Sequence, residues 1–138
     1  MILLILFLYL PLPFLKNSNV VSLHARLTTD SKHILSAENM KLLPEGAVIV
    51  NSARGGLMDY KPLPKLLRSG RIGALALDVY DIEPLPENHK LRFLPNALLL
   101  PHLGYVTKEN YEVFYSQMFE NLEAFKEGKP IRVIQMLN

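Results

Sequence analysis

Three residues hold most of the chemical information in this chain: Arg54 in Asn51-Ser52-Ala53-Arg54-Gly55-Gly56, Glu83 before Pro84, and His102 after Pro101. Each follows an apolar, strand-like run. Imidazole titrates near neutral pH without perturbation, so His102 is the candidate general acid/base. A carboxylate at Glu83 could orient the ring and favour its protonated form, ready to deliver a proton to a developing alkoxide. A guanidinium at Arg54 can hold a carboxylate through two parallel hydrogen bonds, which lysine cannot do. Gly55 and Gly56 let the backbone turn sharply and approach a ligand closely. Asp78 could accept a hydrogen bond from a carboxamide or a ribose hydroxyl. Arginine, carboxylate and histidine at neighbouring strand ends are the set that reversible hydride transfer on a 2-keto acid requires. The chain contains no Gly-x-Gly-x-x-Gly, the loop that would cradle a dinucleotide pyrophosphate. It reads as the catalytic half of an enzyme without its first half.

Taken singly, each residue has a plainer explanation. Lone histidines are usually structural, Arg-Gly-Gly is a common loop, and an aspartate such as Asp78 often caps a turn. The spacing across successive strand ends is what makes the joint case. His24 reads as structural or supporting, and His33 and His89 as solvated loop residues. No His, Asp or Glu cluster has metal-ligand spacing, so no metal is expected.

The elements that must position these residues alternate. Val20 to His24 reads as a strand, followed by a short helix capped by Ser36, with Leu35 and Met40 as a hydrophobic staple, ending near Pro44. Ala47 to Asn51 is a continuous apolar run, as expected of a strand covered on both faces. Asp59 is the expected cap of the next helix, which Gly70 ends, with Pro64 shortening it. Ala74 to Tyr80 and Ala97 to Leu100 are further strands, separated by a polar, proline-rich loop from Asp81 to Pro95. A last helix runs from about Thr107 to Glu127, with Tyr111, Phe114, Met118, Leu122 and Phe125 as one apolar stripe. Strand–helix alternation implies an α/β fold with a parallel sheet and helices on both faces. Ligands bind such sheets beyond the strand C-termini, where Arg54, Asp78, Glu83 and His102 all fall.

With 138 residues, 49% apolar and 20% charged, the chain is one folded domain's worth of material. A net charge of +2 without basic runs gives no reason to expect a nucleic-acid partner. The absence of cysteine excludes disulfides and thiolate metal sites and is compatible with a cytoplasmic setting. Met1 to Leu15 is uncharged and nearly all apolar. It is shorter than the roughly 20 residues of a membrane span, and Pro11 and Pro13 interrupt it. We read residues 1–17 as a buried or artefactual leader rather than a membrane anchor or signal peptide.

Four ordered segments resemble the D-isomer-specific 2-hydroxyacid dehydrogenases: Val20–Thr28, Val50–Asp59, Gly73–Pro84 and Leu100–Gly104. The likeness runs from about Ser18 to Val133. It implies the C-terminal half of a Rossmann-like, doubly wound NAD-binding domain over residues 18–106. Residues 107–138 would be a helix and tail that pack on a substrate domain. It further implies that Arg54 binds the substrate carboxylate and that His102 is the acid/base, with Glu83 as its partner. Ala25, Ser52, Ala53, Arg54, Asp78, His102 and Gly104 would line NAD or NADP. The implied substrate is a small 2-keto or 2-hydroxy acid, and the full-length parent would be a cytoplasmic homodimer. Residues 1–15 match nothing in the family, Tyr105 follows Gly104 where many members carry a smaller residue, and Pro62 and Pro64 replace good helix formers. The competing expectation is a catalytically silent fragment or dimerisation module.

Overall fold

A computed structural model describes residues 2–5 and 12–134, with side chains from residue 13 onward. The chain divides into two compact units, Met1–Leu103 and Gly104–Asn138. The first holds a five-stranded parallel sheet in sequential order. Its strands are β1 (Ile2–Ile5), β2 (Val20–Leu23), β3 (Ala47–Asn51), β4 (Ile72–Leu77) and β5 (Ala97–Leu99). Helix α1 (Leu12–Lys16) links β1 to β2, α2 (Ala37–Met40) links β2 to β3, and α3 (Leu63–Arg68) links β3 to β4. The link to β5 contains a 3-10 turn, Lys90–Phe93. The expected α/β architecture is therefore present. Part of the apolar leader lies outside the described residues. The rest is a sheet strand and a short helix, in which Pro13 sits in the first turn, where no intrahelical N–H bond is required. Among the described residues no helix is long and apolar enough to cross a membrane.

Burial along the strands is one-sided. Val21, Ile49 and Leu75 stand in register and are buried, as are Leu23, Asn51 and Leu77 in the row nearer the strand ends. Between them Val20, Ser22, Val48, Val50, Ala74 and Ala76 are only half-buried, and Leu98 on β5 is 60% exposed. The apolar runs predict cover on both faces, and here the structure differs. Sequential parallel strands joined by right-handed crossovers place every connection on the same face. Leu15 of α1, Met40 of α2, Leu63 and Leu67 of α3 and Leu91 of the 3-10 turn accordingly join one core with Val21, Ile49 and Leu75.

Local signals account for most boundaries. Ser36 caps α2, its side chain accepting from the Asn39 N–H at 3.2 Å, although α2 stops at Met40, short of Pro44. Asp59 does not cap α3. Its Oδ1 accepts from the Lys61 N–H at 3.0 Å, and Pro62 holds the cap position without a side-chain bond. A helix started by Asp59 would need an N–H on Pro64 to bond the Tyr60 carbonyl one turn back, and proline has none, so the helix begins later, with Pro64 in its own first turn. Gly70 ends α3 with φ +74°.

In the second unit Thr107 caps α4 (Lys108–Lys126), accepting from the Asn110 N–H at 3.2 Å. Gly128 closes it: its N–H bonds the Phe125 carbonyl at 3.0 Å and the Lys129 N–H bonds the Ala124 carbonyl at 2.9 Å, the paired bonds of a Schellman motif. No residue of α4 is buried, and the expected stripe from Tyr111 to Phe125 is exposed.

One close approach fixes two loops together. A Cβ built at Gly55 would lie 1.9 Å from the Tyr80 carbonyl oxygen. Only glycine lets the loop after β3 rest against the backbone that leads to Glu83. At Gly70 a Cβ would meet nothing within 4 Å, and only the positive φ opposes a side chain. Gly70→Ala should therefore cost about 1 kcal/mol, and Gly55→Ala about 3 kcal/mol or more, because backbone must move. Urea unfolding midpoints measure both, and equal losses would contradict the close packing.

Candidate active site

Parallel pairing brings the strand C-termini to one rim. Leu23, Asn51, Leu77 and Leu99 form a single register row, so Ala25, Ser52 to Arg54, Asp78 and His102 follow neighbouring strand ends. The turn after β3 is held by Asn51. Its buried amide donates to the Arg54 carbonyl at 2.9 Å and accepts from the Ala53 N–H at 3.1 Å. The sequence reading passed over Asn51, yet a polar side chain closing an apolar strand was the available signal.

Three ties join the segment after β4 to the segment after β5. Asp78, 6% exposed, accepts from the Leu103 N–H through Oδ1 at 2.7 Å. The Tyr80 hydroxyl donates to the Leu100 carbonyl at 2.8 Å. Glu83 Oε2 lies 2.8 Å from His102 Nδ1, while Glu83 Oε1 accepts from the Tyr80 N–H at 2.8 Å. Tyr60, from the turn before α3, adds a buried bond to the Val79 carbonyl at 2.9 Å, and burial raises its phenol well above the usual range.

The carboxylate of Glu83 thus has both oxygens engaged. The His102 hydrogen bond, joined by that from Tyr80, holds its pKa below the ordinary glutamate range against a smaller opposing effect of burial. Pairing uses Nδ1 of His102. The backbone of His102 has φ +57°, an uncommon conformation for a side-chain-bearing residue that recurs at functional sites. Beside the pair lies a cavity of about 460 Å³, lined by Tyr80, Glu83, Leu85, Arg92, Leu100 and His102 among others.

The structure brings Glu83 and His102 together and seats Asp78 next to them. Arg54 is not among the residues lining that cavity; its exposed guanidinium bonds the Ala53 carbonyl at 2.6 Å. Ala25 and Ala53 are half-buried and Ser52 is exposed just past the strand ends, and Gly104 opens the second unit. His24 is exposed and bonded to the Ser22 hydroxyl at 2.7 Å, and His33 is exposed. His89 differs from the solvated residue expected: it is half-buried and caps the 3-10 turn, accepting from the Leu91 N–H at 3.3 Å.

Because the folded pKa of Glu83 is depressed, its pairing stabilises the fold above the ordinary glutamate pKa. That contribution is lost as the pH falls through the lowered value. Wild type should therefore exceed Glu83→Gln in unfolding free energy at neutral pH, with the gap closing below the ordinary glutamate range. A gap independent of pH would contradict the pairing.

The family model described as D-isomer specific 2-hydroxyacid dehydrogenase, NAD binding domain, matches residues 12–104. Its start at residue 12 corrects the expectation that residues 1–15 match nothing. Glycerate dehydrogenase from Methylorubrum extorquens is 37% identical over 123 residues, covering 88% of this chain and 39% of that protein. The crystal structure of TT0316 protein from Thermus thermophilus is 39% identical with a TM-score of 0.80, covering 88% of this chain and 39% of that one. A D-isomer specific 2-hydroxyacid dehydrogenase from Xanthobacter autotrophicus Py2, solved with NADPH and MES, is 34% identical with a TM-score of 0.70, over 88% of this chain and 49% of that one. The chain thus spans less than half the length of these relatives. With the family model matching most of its length, on a parallel sheet of the same fold, the chain belongs to the D-isomer specific 2-hydroxyacid dehydrogenase family, within its NAD-binding domain.

Proposed function

We propose that this chain supplies the acid–base half of an NAD(P)-dependent reductase of small 2-keto acids. The observation that carries the reading is the Glu83–His102 pair at 2.8 Å on the C-terminal rim of the sheet. In the reductive direction His102 would give a proton to the developing alkoxide, and a bound nicotinamide would supply the hydride. Glu83, charged at neutral pH, holds the ring by Nδ1 and stabilises the imidazolium in the reverse direction. Arg54 binds the substrate carboxylate with its planar fork once its guanidinium swings from the Ala53 carbonyl. Asp78 faces the nicotinamide carboxamide, with Ala25, Ser52, Ala53 and Gly104 lining the cofactor, which is NAD or NADP. On this reading residues 18–106 are the C-terminal half of the nucleotide domain, and 107–138 pack the α4 stripe on a substrate domain. The parent works as a cytoplasmic homodimer.

A second reading is a catalytically silent fragment, since the chain spans less than half the length of the relatives it matches. The readings separate in a chimaera that places residues 18–106 within the Methylorubrum glycerate dehydrogenase, assayed with NADH and NADPH on glyoxylate and hydroxypyruvate. The first reading expects turnover, cut about 10²–10⁴-fold by His102→Ala. It expects Arg54→Lys to raise KM roughly tenfold, about 1.4 kcal/mol of lost bidentate binding. An active chimaera indifferent to His102→Ala would refute the assignment, and a folded but inactive one would favour the silent fragment.

A further inference from the structure

Glu83 sits on a long connection. Between β4 and the 3-10 turn Lys90–Phe93 the chain has no helix or strand, and Glu83 is 36% exposed at its side chain. An ion pair between such part-exposed groups contributes about 1 kcal/mol or less. Fixing the backbone of one residue costs about 1–2 kcal/mol. The pair with His102 therefore cannot by itself hold the loop that presents it. Buried Leu85 supplies one anchor. Arg92 supplies another: its Nε donates to the Pro86 carbonyl at 2.9 Å and its Nη2 to the Leu85 carbonyl at 2.6 Å. These carbonyls belong to consecutive residues, a spacing that a planar fork spans and a single ammonium does not. Leu91, the residue before Arg92, is buried in the core. Arg92 also lines the cavity beside Glu83 and His102.

We infer that Arg92 is a positioning residue, whose grip on the Leu85 and Pro86 carbonyls holds the Glu83 carboxylate between the Tyr80 N–H and His102 Nδ1. Its bonded donors go to backbone, so it acts on the pair through the loop. The inference rests on the reading of Glu83–His102 as the acid–base unit. The groups around Glu83 are the Tyr80 N–H and His102, which bond it, Asp78 and the Tyr80 phenol at the same strand end, the Tyr60 phenol from the turn before α3, and Arg92 across the cavity.

The test is a carbon-13 NMR titration of the Glu83 carboxyl in the full chain, read together with the pH-dependent shift of the Tyr80 amide. In wild type Glu83 titrates below the ordinary glutamate range. His102→Ala should move its midpoint up. Arg92→Ala should move it up by at least about half as much and weaken the Tyr80 amide response. Arg92→Lys should move it nearly as far, because it keeps the charge but loses the fork. Arg92→Met, which keeps the apolar stem, replaces alanine if the alanine variant fails to fold. A lysine variant that titrates like wild type, while alanine or methionine shifts, would mean that charge alone matters and would overturn the inference. So would an unshifted Arg92→Ala alongside a shifted His102→Ala, leaving the acid–base reading intact. An unshifted His102→Ala would overturn the pairing itself, and the inference with it.

Discussion

A carboxylate and an imidazole 2.8 Å apart, each more than a third exposed, make a weak bond unless their backbones are already held at that separation. The site depends on that constraint. It is met by parallel register, which ends β4 and β5 side by side, and by ties that continue past the strand ends. Asp78 takes the Leu103 N–H and Tyr80 reaches the Leu100 carbonyl, so His102 has little freedom relative to Glu83. Glu83 and His102 are thus the outermost members of a hydrogen-bonded seam that begins in the sheet.

A second seam reaches the loop after β3. Gly55 rests on the Tyr80 carbonyl with no room for a Cβ, and Asn51 clamps the turn that presents Arg54. The loop bearing the guanidinium is therefore packed against the strand end that leads to the carboxylate. Arg54 itself is exposed and bonded to its own loop.

Much of this was legible in the sequence. Apolar runs marked β2, β3 and β5 closely, while β4 begins and ends two to three residues before the expected Ala74–Tyr80; Ser36 announced its cap, and Gly70 and Gly128 ended their helices through positive φ. The spacing of Arg54, Glu83 and His102 after strand-like runs placed them on one rim. Other features were not legible because they depend on pairings that residue type does not encode. One-sided burial follows from strand order, and the apolar runs of β3 and β4 look the same whether one face or two are covered. Asp59 looked like a cap, but Pro64 lacks the N–H that the second turn of a helix begun there would need, so α3 starts later. Arg92 lies in a polar stretch and bonds backbone carbonyls, which every residue has, so nothing in its type singled it out. The half-bare sheet face and the exposed stripe of α4 are apolar surfaces of a kind that proteins rarely leave uncovered, in a chain spanning less than half of its relatives' length.

The central claim is that Glu83 orients His102 through Nδ1. Nitrogen-15 NMR of the imidazole at neutral pH tests it most directly. The account predicts a low-field, exchange-protected proton on Nδ1 that disappears in Glu83→Gln. A neutral ring protonated on Nε2 alone, or an Nδ1 proton unaffected by Glu83→Gln, would contradict it.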